Sequence, residues 1–198
     1  MNTPLLIATK NAGKAAELAG MFDGLGVSCE PLPADAPDVE ETATTFRANA
    51  LLKATAYARH FGTACLADDS GLQVAALDDA PGIYSARFAA MHDAGEGDAA
   101  NNTLLLEKLA DADDRRARFV CVLALCDVKG RPIFTTEGHV SGTIVREPRG
   151  DSGFGYDPLF EHAGKTMAER TAEEKAALSH RGVAAKRLSD LLATFPLS

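Results

Sequence analysis

Several things are missing from this chain, and each absence excludes something. It has no tryptophan, and aromatic residues make up only 6%. Lys and Arg number 20 against 28 Asp and Glu, a net charge of -8. That balance excludes broad, sequence-independent binding to DNA or RNA, which needs clustered cations. It leaves room for a small anionic ligand, because a few local cations and backbone N–H groups suffice to hold a phosphate. No apolar run approaches the roughly 18 residues of a membrane span. The opening Met1 to Lys10 lacks a basic segment followed by a long apolar one, so it reads as structure and not as a signal peptide. The four cysteines (Cys29, Cys65, Cys121, Cys126) form no C-x-x-C pair. A zinc ribbon or redox motif is therefore unsupported, and buried free thiols in a reducing cytoplasm are expected. Repeats, low-complexity tracts and linkers are also lacking, so 1–198 is expected to be a single domain.

What is present is an interleaving of helical and extended patterns. Pro4 to Ala8 is a short apolar run that breaks at Thr9-Lys10-Asn11-Ala12-Gly13-Lys14. Leu18, Met21, Phe22 and Leu25 then recur at helical spacing. Val27 to Leu32 suits a strand, and the acidic, Pro-containing segment 33–41 suits a loop. Thr45 to Phe61 reads as a long helix stopped by Gly62. Thr63 to Ala67 reads as a strand feeding a turn at Asp68-Asp69-Ser70-Gly71, with extended chain resuming over Leu72 to Leu77. Asp78 to Met91 reads as a loop and Asn101 to Ala110 as a helix. Arg118 to Val128 is almost continuously apolar, as a strand buried on both faces would be. Lys129-Gly130-Arg131 is short enough for a hairpin into Pro132 to Val145. Glu147 to Pro158 is loop-like. Thr171-Ala172-Glu173-Glu174 is a capping box opening a helix, which Ser179 to Gly182 interrupts before a last helix over Val183 to Leu192. The fold class expected is α/β, a central mixed β-sheet with flanking helices, in two lobes around an active-site cleft.

Four segments carry candidate chemistry. At Thr9 to Lys14 a strand runs into a helix start, where unpaired N–H groups and the dipole attract phosphate and Lys14 adds a full charge. The G-x-x-x-x-G-K-[ST] spacing is absent. Adjacent carboxylates at Glu40-Glu41 and Asp68-Asp69 are costly unless a cation neutralises them, and oxygen ligands suit Mg²⁺. In Gly153-Phe154-Gly155-Tyr156-Asp157-Pro158, the glycines admit a flat ligand and Phe154 offers a stacking face. Lys175, followed by Ser179-His180-Arg181-Gly182, brings hydrogen-bond donors to a helix junction.

Taken in order with Asn49, Lys53 and Pro81 to Arg87, these motifs closely resemble the inosine triphosphate pyrophosphatase family in its bacterial form, over about Leu5 to Leu192. The resemblance implies Mg²⁺-dependent hydrolysis of dITP, ITP, XTP and dXTP to the monophosphate and pyrophosphate, by a homodimer that cleanses the nucleotide pool. It assigns Thr9, Lys10, Asn11, Ala12, Gly13, Lys14 and Lys53 to the triphosphate and Ser70 to a substrate contact. Glu41 and Asp69 would hold Mg²⁺, with Asp69 also the base. Phe154, Gly155, Tyr156 and Asp157 would frame the base, with Lys175, His180 and Arg181 closing over it. A pyrimidine-selective pyrophosphatase of the same chemistry and a non-catalytic nucleotide-binding regulator are the rival readings. No nucleic-acid or membrane partner is expected.

Overall fold

A computed structural model describes residues 4–24 and 26–195. Among these described residues seven strands form one sheet in the order β2-β1-β3-β4-β5-β6-β7. They are β1 (Leu5–Ile7), β2 (Cys29–Pro31), β3 (Cys65–Val74), β4 (Arg116–Cys126), β5 (Pro132–Ile144), β6 (Phe160–His162) and β7 (Lys165–Thr166). Strand β1 pairs in parallel with β2 and β3, while β6 pairs antiparallel with β5 and β7, so the sheet is mixed. The helices are α1 (Ala12–Asp23), α2 (Phe46–Phe61), α3 (Gly97–Lys108), α4 (Ala172–Leu178) and α5 (His180–Thr194). Among the described residues, none is long and apolar enough to cross a membrane.

The chain divides into two compact units: Met1–Asp69, Cys121–Gly138 and His180–Ser198 form the first, Ser70–Val120 and His139–Ser179 the second. The first unit packs Leu18 and Phe22 of α1 and Ala184, Ala185 and Leu188 of α5 against Leu5, Ile7, Leu66, Cys121, Leu123 and Leu125 of the strands. Leu25, the last apolar position expected on α1, lies outside the described residues. The second unit is built on Leu72, Val74, Leu105, Phe119, Ile144, Phe160 and Met167, with the Phe119 and Phe160 rings 4.5 Å apart. All four cysteines are free, and Cys65, Cys121 and Cys126 are buried. Burial pushes the Cys65 and Cys121 thiols up to about 12, so neither forms a thiolate readily.

The caps follow the local chemistry. Asn11 caps α1, and Thr45 caps α2, accepting from the Ala48 N–H. Gly62 ends α2 in the left-handed region at φ 62°. The Thr171–Glu174 capping box is reciprocal, at 2.9 and 3.2 Å. Gly138 is a steric requirement: a Cβ there would overlap the His180 carbonyl and the Ala184 backbone N at the start of α5. Gly138→Ala should therefore cost about 1–3 kcal/mol in urea unfolding and displace the His180–Arg181 turn.

Three expectations need correction. The expected turn at Asp68 to Gly71 is the middle of one continuous ten-residue strand, β3. Turn propensity is overridden because cations compensate both carboxylates inside the first unit. The loop expected over Asp78 to Met91 contains 3₁₀ turns at Gly82–Arg87 and Ala90–His92. The last helix begins at His180 instead of Val183, with Ser179 in extended conformation as the break.

Candidate active site

In β3 successive side chains point to opposite faces. Asp68 meets α1 and α5, while Asp69 meets α2. Fully buried Asp68 lies 3.3 Å from Lys14 Nζ and 3.6 Å from Arg181 Nη2. Arg181, itself fully buried, also pairs with Glu17 of α1. Burial works against its charge, yet Asp68 and Glu17 hold the guanidinium above its ordinary value, so it stays protonated. Buried His180 precedes it at the first position of α5.

Helix α2 supplies the other side through one stripe at i, i+4 and i+8. Buried Asn49 accepts from the Ala43 N–H at 3.0 Å, and Tyr57 donates to the Pro37 carbonyl at 2.8 Å. These two bonds fasten the acidic loop to the helix. Between them Lys53 pairs with Glu41 of that loop and lies 3.6 Å from Asp69 Oδ1. Burial opposes the Lys53 charge, but Asp68, Asp69 and Glu41 outweigh it and raise its pKa.

Asp69 is the perturbed acid. Burial pushes it up to about 6, with Glu41 and Asp68 adding and Lys53 and Lys14 opposing. Its Oδ2 is buried and accepts no hydrogen bond from the described residues. Lys14 and Asp69 thus feel each other's charge within the first unit. At the head of α1, the Asn11 side chain accepts from the Lys14 N–H at 3.0 Å, and the Thr9 hydroxyl accepts from the Asn11 N–H at 3.2 Å. Ala12 and Gly13 form the first turn between them. Exposed Lys10 is engaged elsewhere, donating to Asp38 at 2.6 Å.

The remaining candidates belong to the second unit. Ser70 follows Asp69 in β3. Asp157 Oδ2 accepts from the Phe154 N–H at 2.9 Å and from Lys175 Nζ at 2.6 Å. Lys175 Nζ also lies 5.0 Å from the centre of the Phe154 ring. The Tyr156 hydroxyl donates to the Ser85 carbonyl at 2.9 Å, which ties this loop to the Pro81–Arg87 motif. Glu17 is the site residue that carries no sequence signal, lying outside every motif, while Asp68 belongs to the adjacent-carboxylate pair but its pairing with Lys14 and Arg181 does not show in the sequence.

Implied Mg²⁺ can be tested against this donor set. Among the described residues, no group of three or more His, Cys, Asp or Glu is arranged to hold a metal by itself. Mg²⁺ does not need one: it takes one or two carboxylates and completes its shell with waters and substrate phosphates. An all-oxygen pair, Glu41 and Asp69, with one Asp69 oxygen unengaged, fits that habit.

The Ham1 family model matches residues 5–191. The chain belongs to the Ham1 family. Among relatives of this Ham1 protein, a dITP/XTP pyrophosphatase of an Exiguobacterium species is 53% identical over 188 residues, which cover 93% of this chain and 94% of the relative. The solved HAM1 protein of Coxiella burnetii is 40% identical, covers 96% of this chain and 98% of its own, and superposes with a TM-score of 0.83. A nucleoside-triphosphatase / dITP/XTP pyrophosphatase from Mycobacterium abscessus is 42% identical, at 96% and 100% coverage and a TM-score of 0.72.

Proposed function

We propose that this Ham1 protein hydrolyses the deaminated purine nucleotides dITP, ITP, XTP and dXTP to monophosphate and pyrophosphate, with Mg²⁺, as a homodimer in the cytoplasm. The relatives' names support the substrate class, the free buried thiols are consistent with the compartment, and the dimer follows from the family resemblance. One observation carries the chemistry. Lys53 lies against Glu41 and Asp69, while Lys14, in the first turn of α1, lies against Asp68, the neighbour of Asp69 in β3, an arrangement that suits a triphosphate and a divalent ion.

Glu41 and Asp69 would hold Mg²⁺, which when bound supplies charge neutralisation for the phosphate oxygens. The first-turn N–H groups of α1, with Lys14 and Lys53, bind and orient the triphosphate; Thr9 and Asn11 keep that turn in place. Asp69, a base with a pKa near 6, takes a proton from the water that attacks the α-phosphorus in line. The P–O bond to the β-phosphate breaks and pyrophosphate leaves. Phe154, Gly155, Tyr156 and Asp157 frame the base. Donors such as Lys175, His180 and Arg181 favour a 6-oxo purine, which presents an acceptor where adenine presents an amino group. Sites built on such pairing reject the mismatch by about 10⁴–10⁵-fold.

The test is pyrophosphate release from dITP, XTP, dGTP, dATP and dTTP with Mg²⁺ and with excess EDTA. Turnover of dITP and XTP alone, lost in EDTA, is expected. Preference for dTTP would install the pyrimidine reading, and nucleotide binding without turnover the regulatory one.

A further inference from the structure

Two side chains on α3 have no part in the chemistry above. Asp98 and Asn102 stand one helical turn apart and therefore share a face. Asp98 Oδ2 accepts from the Gly155 N–H at 2.6 Å, and Asn102 Nδ2 donates to the Gly155 carbonyl at 2.9 Å. One residue of the aromatic loop is thus held at both its backbone groups, from one helix. We propose that Asp98 and Asn102 are positioning residues for base recognition: they fix the loop 153–157 in the shape that selects among nucleobases. The inference rests on the proposed function, specifically on that loop framing the base.

The geometry gives the clamp a purpose beyond holding the fold. Asp98 is exposed and Asn102 only partly buried, so neither fills the core. The packing of α3 is carried by Leu104 and Leu105. Its structural hydrogen bonds fall to the neighbouring, buried Asn101, which accepts from the Ala89 N–H at 2.8 Å and donates to the Ala86 carbonyl at 3.2 Å. Asp98 stands in the first turn of α3, where the dipole stabilises a carboxylate. A charged acceptor on a backbone N–H is also about twice as strong as a neutral one.

The clamped residue is the loop's weakest point. Gly155 sits at φ +62° with open space where a Cβ would lie, so no side chain anchors it, and within the loop its peptide on the N-terminal side is steadied by a 3.3 Å bond from the Asp157 N–H to the Phe154 carbonyl. On either side the loop is already braced, by Asp157 on the Phe154 N–H and by the Tyr156 hydroxyl on Ser85. Without the α3 bonds the Gly155 N–H and carbonyl would both lose these partners, leaving the 3.3 Å bond from the Asp157 N–H to the Phe154 carbonyl to steady the 154–155 peptide. Phe154 and the N–H groups that a base would meet would then lose their fixed direction, while Lys14, Lys53 and Asp69 of the first unit would be untouched.

The test compares wild type with Asp98→Ala, Asn102→Ala, the double variant and Asp98→Asn, which keeps an acceptor oxygen. Steady-state kinetics with dITP and dATP, and hydrogen exchange over 153–157, are the readouts. In the double variant the dITP KM should rise and the dITP:dATP ratio of kcat/KM should fall about 10–10²-fold, the scale of losing one charge-assisted and one neutral bond. The dITP kcat should stay within about twofold, exchange at 153–157 should speed up, and Asp98→Asn should recover most of the ratio. An unchanged ratio, or equal losses for both substrates through kcat with a lowered Tm, would overturn the positioning role. Wild-type protein inert toward dITP would instead overturn the proposed function itself, a different result from an active wild type whose variants do not lose selectivity.

Discussion

Asp69→Asn should leave a folded protein that no longer releases pyrophosphate at a useful rate. Loss of a general base alone costs about 10²–10⁴-fold, and the same substitution weakens one of two carboxylates expected to hold Mg²⁺. The drop should appear in kcat, because the cations that bind the triphosphate remain. The same variant should be the more stable protein at neutral pH. Asp69 is buried, and burial raises its pKa to about 6 from the ordinary 3.8. A carboxyl whose folded pKa is raised binds its proton more tightly in the native state. Its stabilising contribution is therefore complete below about pH 3.8 and is lost as pH rises through about 6. Thermal melts in EDTA should show the wild type losing stability relative to Asp69→Asn between about pH 4 and pH 6. Parallel curves over that range would mean that Asp69 is not held above its ordinary value, and wild-type activity in the variant would remove it from the mechanism.

That cost explains a difference between sequence pattern and structure. Asp-Asp-Ser-Gly is turn chemistry when read alone. Here it is strand, because Asp68 is met by Lys14 and Arg181 and Asp69 by Lys53. Those partners lie from 16 (Lys53) to 113 (Arg181) residues away along the chain, beyond the reach of any local turn signal. Arg181 with Glu17 is the extreme, a pair separated by 164 positions. Features with local causes were legible: the Gly62 stop of α2, the Thr171–Glu174 box, and the apolar run that became β4. Strands β6 and β7, three and two residues long, are defined by pairing with each other and, for β6, with β5. Their sequences carry too few positions for a period. The candidate residues of the first unit could be named from their motifs, but not the fact that Lys53 already rests on both Glu41 and Asp69.

That last contact yields the second large effect. In this chain the ammonium of Lys53 lies against the two carboxylates assigned to Mg²⁺. One positive charge beside Glu41 and Asp69 competes with another, so Mg²⁺ alone should bind the wild type weakly. A triphosphate offers Lys53 a new anionic partner and should strengthen metal binding when it arrives. Lys53→Met uncouples these events. Calorimetry should show Mn²⁺, used as the probe, binding the variant more tightly than wild type without nucleotide, since Glu41 and Asp69 are then left uncompensated in a buried site. Catalysis should nevertheless fall about 10–10²-fold in kcat/KM for dITP, the scale of a lost charged hydrogen bond to phosphate. The metal-free variant should also melt below wild type, and the gap should narrow toward pH 5 as Asp69 takes up its proton and no longer needs the missing cation. Equal Mn²⁺ affinity in the two proteins would show that Lys53 does not compete for the carboxylates, and undiminished turnover would show that it does not serve the phosphates.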